Sequence, residues 1–311
     1  MSAELRGCYP ILATPFRPDG EVDEESVVSL VRHLRRVGLP GFTMFGLASE
    51  FYKLSDVDRE ALIEAAFDAR TPDQTVIVSV TAHSLEVARK QALQAEEAGA
   101  DALMLLPPFF LGPSEADIGR HVLGVAAATS LPIMIQYAPA QTGVKMTADS
   151  FARLNREAPN LRYVKVEGAP PGPLISGITA GGKIECLVGY GGLQLIDGLR
   201  RGAVGVQPAS GVADYYSHIL KAFDEGDLEV AYALHADLLP LVNLLMQAIE
   251  PLNKLEKIVL HRRGIIAHDF CRAPSFEPDG LMLAELDRFV GRISGRLHPS
   301  APWPAELPGK G

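Results

Sequence analysis

Eight short runs of nearly unbroken apolar residues, each followed by a stretch with helical spacing, constrain this chain more than any other feature. The runs are "CYPILAT" (8–14), "GFTMF" (41–45), "TVIVSV" (75–80), "DALMLL" (101–106), "LPIMIQ" (131–136), "LRYVKV" (161–166), "IECLVG" (184–189) and "GAVGVQ" (202–207). A strand with one wet face alternates apolar and polar residues, so runs like these suit a parallel sheet covered on both faces. Between them lie "DEESVVSLVRHLRRVG" (23–38), "SDVDREALIEAAFDA" (55–69), "SLEVARKQALQAEEAG" (84–99) and "SEADIGRHVLGVAAA" (114–128). Further helices are expected at 148–157, 171–180, from near Gly192 and at 212–223. Ser55 and Ser84 stand where N-caps belong, Ser55 with Asp58 as a capping-box partner, and Gly38 and Gly99 are C-terminal stops. Eight such units predict an α/β fold, the (β/α)8 TIM barrel, with an open doubly wound sheet as the rival.

Past residue 226 the pattern stays helical: "DLEVAYALHADLLPLVNLLMQAIE", interrupted by Pro240, then "LNKLEKIVLHRRGI" and "LMLAELDRFVGRI". The expected organisation is a barrel over 1–225, C-terminal helices over 226–295 packed on it, and a Pro-rich tail over 296–311 on the surface or against a partner chain.

With 38 acidic against 29 basic residues and a net charge of -9, no broad positive field exists to engage nucleic-acid phosphates. Cys8, Cys186 and Cys271 show no metal-ligand spacing and cannot all pair within one chain. A reducing compartment, the cytoplasm, is expected, with no membrane-spanning stretch and no leader segment. No His/Asp/Glu group has metal spacing either, so no metal is expected.

In a barrel, function collects at the C-terminal ends of the strands. "LRYVKVEG" (161–168) puts Lys165 at the end of the sixth run. An apolar environment favours a neutral amine, which attacks a ketone to form an imine; the protonated imine then draws electrons from the neighbouring carbon. The plainer reading is a snorkelling chain or an ion-pair partner of Glu167, which shares a face with Lys165 if the strand continues. A turn after Val166 would remove that pairing.

Several segments together resemble the dihydrodipicolinate synthase and N-acetylneuraminate lyase family, barrel enzymes that hold pyruvate or another 2-oxo acid as a Schiff base. They are "ILATPFRPDGEVD" (11–23), "FGLASEFYKLSDVDRE" (45–60), "AEEAGADALMLLPPFF" (95–110), "LPIMIQYAPAQTGV" (131–144) and "LRYVKVEG". The resemblance implies that Lys165 forms the imine. It also implies that the loop Gly46, Leu47, Ala48 and Ser49 receives the oxo-acid carboxylate, through backbone N–H groups with Ser49 in support; the plainer reading makes Gly46 and Ser49 ordinary turn residues and has Glu50 cap or pair with a loop. Copies are implied to associate as a homodimer or homotetramer, with Phe110 at a subunit contact near the site.

The departures from that family carry as much information. Its hydroxyl relay falls on Gln136, Leu47 and Phe110 in this chain, none of which is a proton carrier at neutral pH. Tyr137 is the nearest substitute; regular strand alternation turns it away if Gln136 points in, unless a bulge intervenes. Water held by Gln136 and the Glu167 carboxylate are the other routes. Gln141 replaces the arginine that binds the second substrate's carboxylate in the biosynthetic synthases, which argues against that condensation. "GYGG" (189–192) and "GVQPASG" (205–211) add Tyr190, Gln207 and Ser210 as substrate contacts. The reading is a Schiff-base lyase, an aldolase, acting on pyruvate or a 2-keto-3-deoxy sugar acid without a cofactor. The alternatives are a dehydratase on such sugar acids, with or without decarboxylation, and a noncatalytic 2-oxo-acid-binding protein.

Overall fold

The structure is a computed structural model that describes residues 4–305; the end of the expected Pro-rich tail, 306–311, lies outside the described residues. The chain forms two compact units. One comprises the segment through Tyr9, Pro40–Phe45 and Asp73–Pro208; the other comprises Pro10–Leu39, Gly46–Pro72 and the chain from Ala209 onward.

All eight strands belong to the first unit: β1 (Gly7–Cys8), β2 (Gly41–Met44), β3 (Thr75–Val80), β4 (Ala102–Leu105), β5 (Ile133–Tyr137), β6 (Leu161–Val166), β7 (Glu185–Val188) and β8 (Gly205–Val206). They form one sheet in the order β1-β8-β7-β6-β5-β4-β3-β2, and every pair is parallel. From β2 to β8 each strand pairs with its sequence neighbour and the first strand pairs with the last, which is the (β/α)8 order; a doubly wound sheet would reverse direction at a switch point. Between β1 and β2 the Thr43 hydroxyl donates to the Tyr9 carbonyl at 3.4 Å. The helices α3 (Leu85–Glu97), α4 (Glu115–Ala126), α5 (Pro139–Thr142), α6 (Ala148–Glu157), α7 (Pro171–Thr179) and α8 (Leu195–Arg200) follow the strands of this unit in turn.

The second unit holds α1 (Glu24–Arg36), α2 (Asp56–Ala69), α9 (Ala213–Asp224), α10 (Leu228–Leu245), α11 (Ile249–Arg262) and α12 (Gly280–Ile293). Ser55 and Asp58 form the expected capping box of α2, and Ser84 caps α3 by accepting from the Val87 N–H. Pro240 does not interrupt α10. Its ring removes one intrahelical bond, but Leu234, Leu238, Leu241 and Val242 bury the same helix face against neighbouring helices, and that packing outweighs the loss. By length and composition alone α10 is apolar enough to cross a membrane, contrary to the sequence expectation; within its unit it packs against α9, α11 and α12.

Two strands, β1 and β8, are cut to two residues each, far short of their apolar runs. Pro10 has no N–H to donate, so β1 stops at Cys8 and only an isolated bridge joins Ile11 to Ala209. Gly202 takes φ 92 in the turn before β8, which therefore starts at Gly205.

Candidate active site

Lys165 occupies the last inward position of β6. In the parallel ladder Gln136 pairs with Lys165 and Lys165 with Leu187, so the three side chains share one face. The other face is the helix side, because Tyr137, one residue on, sets its ring edge-on against Phe151 of α6 at 5.7 Å. Lys165 is only 3% exposed. Its amine sits 3.2 Å from Glu167 Oε1.

Glu167 stays on the Lys165 face because the ladder runs past the end of β6: its N–H donates to the Tyr137 carbonyl at 2.9 Å. The chain therefore does not turn after Val166. Both carboxylate oxygens are held. Gln136 Nε2 donates to Oε2 at 2.8 Å and the Tyr190 backbone N–H to Oε1 at 3.2 Å. Charge-assisted bonds of this kind fix a carboxylate more firmly than neutral ones do.

Gly189 makes the arrangement possible. A Cβ there would lie 2.3 Å from Glu167 Cγ, so no other residue leaves the glutamate room. The turn that follows aims the Tyr190 N–H: Tyr190, Gly191 and Gly192 all adopt positive φ, at 53, 62 and 73. For a tyrosine that conformation costs on the order of 1–3 kcal/mol, and such strain gathers at functional sites.

The structure does not bring Tyr137 to the amine. A register shift does occur in β5, but between Ile133 and Met134, and regular pairing resumes before Gln136 and Tyr137. The shift comes too early to turn Tyr137 inward. Its hydroxyl accepts from the Met146 N–H at 3.5 Å, and its ring packs over Gly168. Gln141 lies in α5, with Oε1 buried and no donor on it among the described residues. Phe110 stands 68% exposed in the loop after β4, its ring 5.8 Å from His83. Gln207, one residue past β8, is buried and donates from Nε2 to Thr43 Oγ1 at 2.7 Å. Thr43 was not singled out by sequence; a lone threonine in an apolar run carries no signal of its own.

A cavity of about 690 Å³ opens on the helix side of β6 and β7. Its walls include Val166, Val188, Pro139, Pro170 and Leu193, and Glu167 and Tyr190 also line it. Gln194, Asp197 and Arg201 add polar groups to those walls.

In the second unit, Gly46 caps a helical turn over Leu47–Ser49. The first N–H groups of such a turn have no intrahelical acceptor, which is the property that suits them to an anion. Gly46 is needed because a Cβ would meet the Ile11 side chain at 2.8 Å. The Ser49 hydroxyl donates to the Leu12 carbonyl at 2.6 Å, so its proton is already committed. Glu50 is fully buried at φ 53 and pairs with Lys53 at 3.0 Å and with Lys257. Lys257 and Arg272 each lie 4.4 Å from the Phe16 ring centroid. Lys257 escaped the sequence reading because "LNKLEKIVL" looks like an ordinary amphipathic helix.

Ser210 is also committed: its hydroxyl and its N–H both donate to Glu256 Oε1 at 2.6 Å. Burial pushes the Glu256 carboxyl up from an ordinary 4.5 to about 7, against the Ser210 bonds and the Lys257 charge that favour ionisation. The folded state therefore holds this proton after the unfolded chain has released it, and stability falls as pH rises from about 4.5 to about 7. Glu256→Gln, which mimics the neutral acid, should flatten the Tm profile across that window and recover roughly 3 kcal/mol above it. An unchanged slope in thermal melts from pH 4 to 8 would show that Glu256 ionises freely in the fold.

The family model of the dihydrodipicolinate synthetase family matches residues 4–291. An L-2-keto-3-deoxyarabonate dehydratase of Azospirillum brasilense is 30% identical over 304 residues, 93% of this chain and 94% of that protein. A 4-hydroxy-tetrahydrodipicolinate synthase of Kineococcus radiotolerans is 31% identical over 276 residues, 85% of each chain. Among solved structures, a dihydrodipicolinate synthase from Rhodopseudomonas palustris superposes with a TM-score of 0.87 at 26% identity, covering 93% of this chain and 97% of that one. On the match of its nearly complete length, this chain belongs to the dihydrodipicolinate synthetase family.

Proposed function

We propose that the protein is an imine-forming lyase of 2-keto-3-deoxy sugar acids and that the bond it breaks is carbon–oxygen. One observation carries this reading: a buried amine in contact with a carboxylate that an amide and a backbone N–H hold in place. The pair exchanges a proton internally. Transfer from the Lys165 ammonium to Glu167 yields a free amine and a carboxylic acid side by side. The amine attacks C2 of the oxo acid, and Glu167 protonates the resulting hydroxyl so that water leaves and the iminium forms. Glu167, again a carboxylate, takes a proton from C3 to give the enamine. The same proton then goes to the C4 hydroxyl, which departs as a second water. Hydrolysis of the conjugated iminium consumes one water, releases the product and returns Lys165 as an ammonium.

In this scheme Gln136 orients the carboxylate and carries no proton itself. Tyr137 has no part. The name of the Azospirillum relative supports dehydration.

Carbon–carbon cleavage, the first expectation from sequence, begins from the same iminium and asks Glu167 to take the C4 hydroxyl proton instead. Incubation with 2-keto-3-deoxy pentonates and hexonates, followed by NMR and mass spectrometry, separates the two. A product one water lighter than the substrate is expected. Pyruvate with an aldehyde would replace dehydration by the aldolase reaction, and binding without any product would leave a 2-oxo-acid-binding protein.

A further inference from the structure

Three residues define the inward row above Lys165. Lys165 pairs with Leu187 and Leu187 with Gly205, so Glu167, Gly189 and Gln207 each stand two residues further along their own strands, on the same face. Gly189, between the other two, contributes no side chain. Strands lie 4.7–4.9 Å apart, which separates the backbones of Glu167 and Gln207 by about 10 Å.

The Gln207 amide has a fixed sense. The Thr43 hydroxyl spends its proton on the Tyr9 carbonyl, so toward Gln207 it acts only as an acceptor, and the Gln207 NH₂ must face it. The amide oxygen is thereby turned the other way. It is buried, and among the described residues no donor reaches it. An acceptor stripped of water without a partner costs about 1–3 kcal/mol, so a site that leaves one empty is complete only when a ligand brings the donor.

We infer that Gln207 Oε1 accepts the hydroxyl on C4 of the substrate and so selects 4-hydroxy-2-oxo acids over their 4-deoxy counterparts. This deepens the imine reading above and depends on it. Glu167 and Gln207 hold the C4 oxygen from opposite sides: one supplies the proton on which water leaves, the other keeps the hydroxyl's own hydrogen. A site built to accept from a hydroxyl rejects the analogue that lacks it, because its acceptor is then left unpaired.

The test is borohydride trapping of the whole protein on Lys165, with pyruvate, a 4-hydroxy-2-oxo acid, and the 2-oxo acid of the same chain length without the hydroxyl. The wild type should be half-saturated by the hydroxy acid at about 10- to 100-fold lower concentration than by its deoxy analogue. Gln207→Met should bring the hydroxy acid and its deoxy analogue to about equal half-saturation, a loss confined to the acid that carries the C4 hydroxyl, which a merely structural role would not produce. Thr43→Val, which releases the amide to rotate, should lose part of the preference and serves if the first variant does not fold. Preference retained in either variant overturns the assignment, as does equal loss for all three acids. A wild type that forms no adduct with any acid overturns the imine reading itself, a distinct result.

Discussion

Replacing Lys165 by alanine should abolish both covalent trapping and turnover, with a loss on the order of 10⁴-fold or more in kcat. In the proposed mechanism the lysine is at once nucleophile and electron sink. Lys165→Arg should fail as completely, because guanidinium keeps its charge and does not condense with ketones. The check is borohydride reduction in the presence of pyruvate followed by peptide mass analysis. An adduct on any other lysine, or turnover surviving in Lys165→Ala, would remove the imine from the mechanism.

Glu167→Gln should lower kcat by about 10²- to 10⁴-fold, the usual worth of a positioned acid–base group. The amide fits the same space beside Gly189 and can still touch the amine, yet it cannot shuttle protons. Pyruvate trapping should survive in this variant at a reduced rate, since imine formation can draw protons from water while elimination at C4 cannot do so efficiently. Tyr137→Phe should stay within about twofold of wild type, because its hydroxyl serves the Met146 N–H on the helix side. Steady-state kinetics on the two variants decides the assignment. A Tyr137→Phe collapse with Glu167→Gln intact would reverse it.

The fold was readable because its signals are local. Apolar runs at regular intervals, Ser55 before Asp58, and glycines at helix ends each encode a preference within a few residues, and the parallel order follows from covering both faces of every strand. Lys165 was readable for the same reason: two-residue alternation fixes the face on which it stands. Less was legible in the proton path. Sequence put Tyr137 forward as the nearest substitute, with water on Gln136 and Glu167 as other routes; the proposal made above for Glu167 rests on where a register shift falls in β5 and on the ladder continuing past Val166.

By itself, then, the order of residues determined the barrel, the strand that carries the amine and the face on which that amine lies, since all three depend on periodicity along the chain. Only tertiary structure decided which groups meet it. The grip of Gln136 and the Tyr190 N–H on Glu167, the absent side chain at Gly189 and the turned amide of Gln207 come from neighbouring strands brought within one ladder spacing. Contacts between residues distant in sequence depend on register and close packing, and neither leaves a local pattern to read.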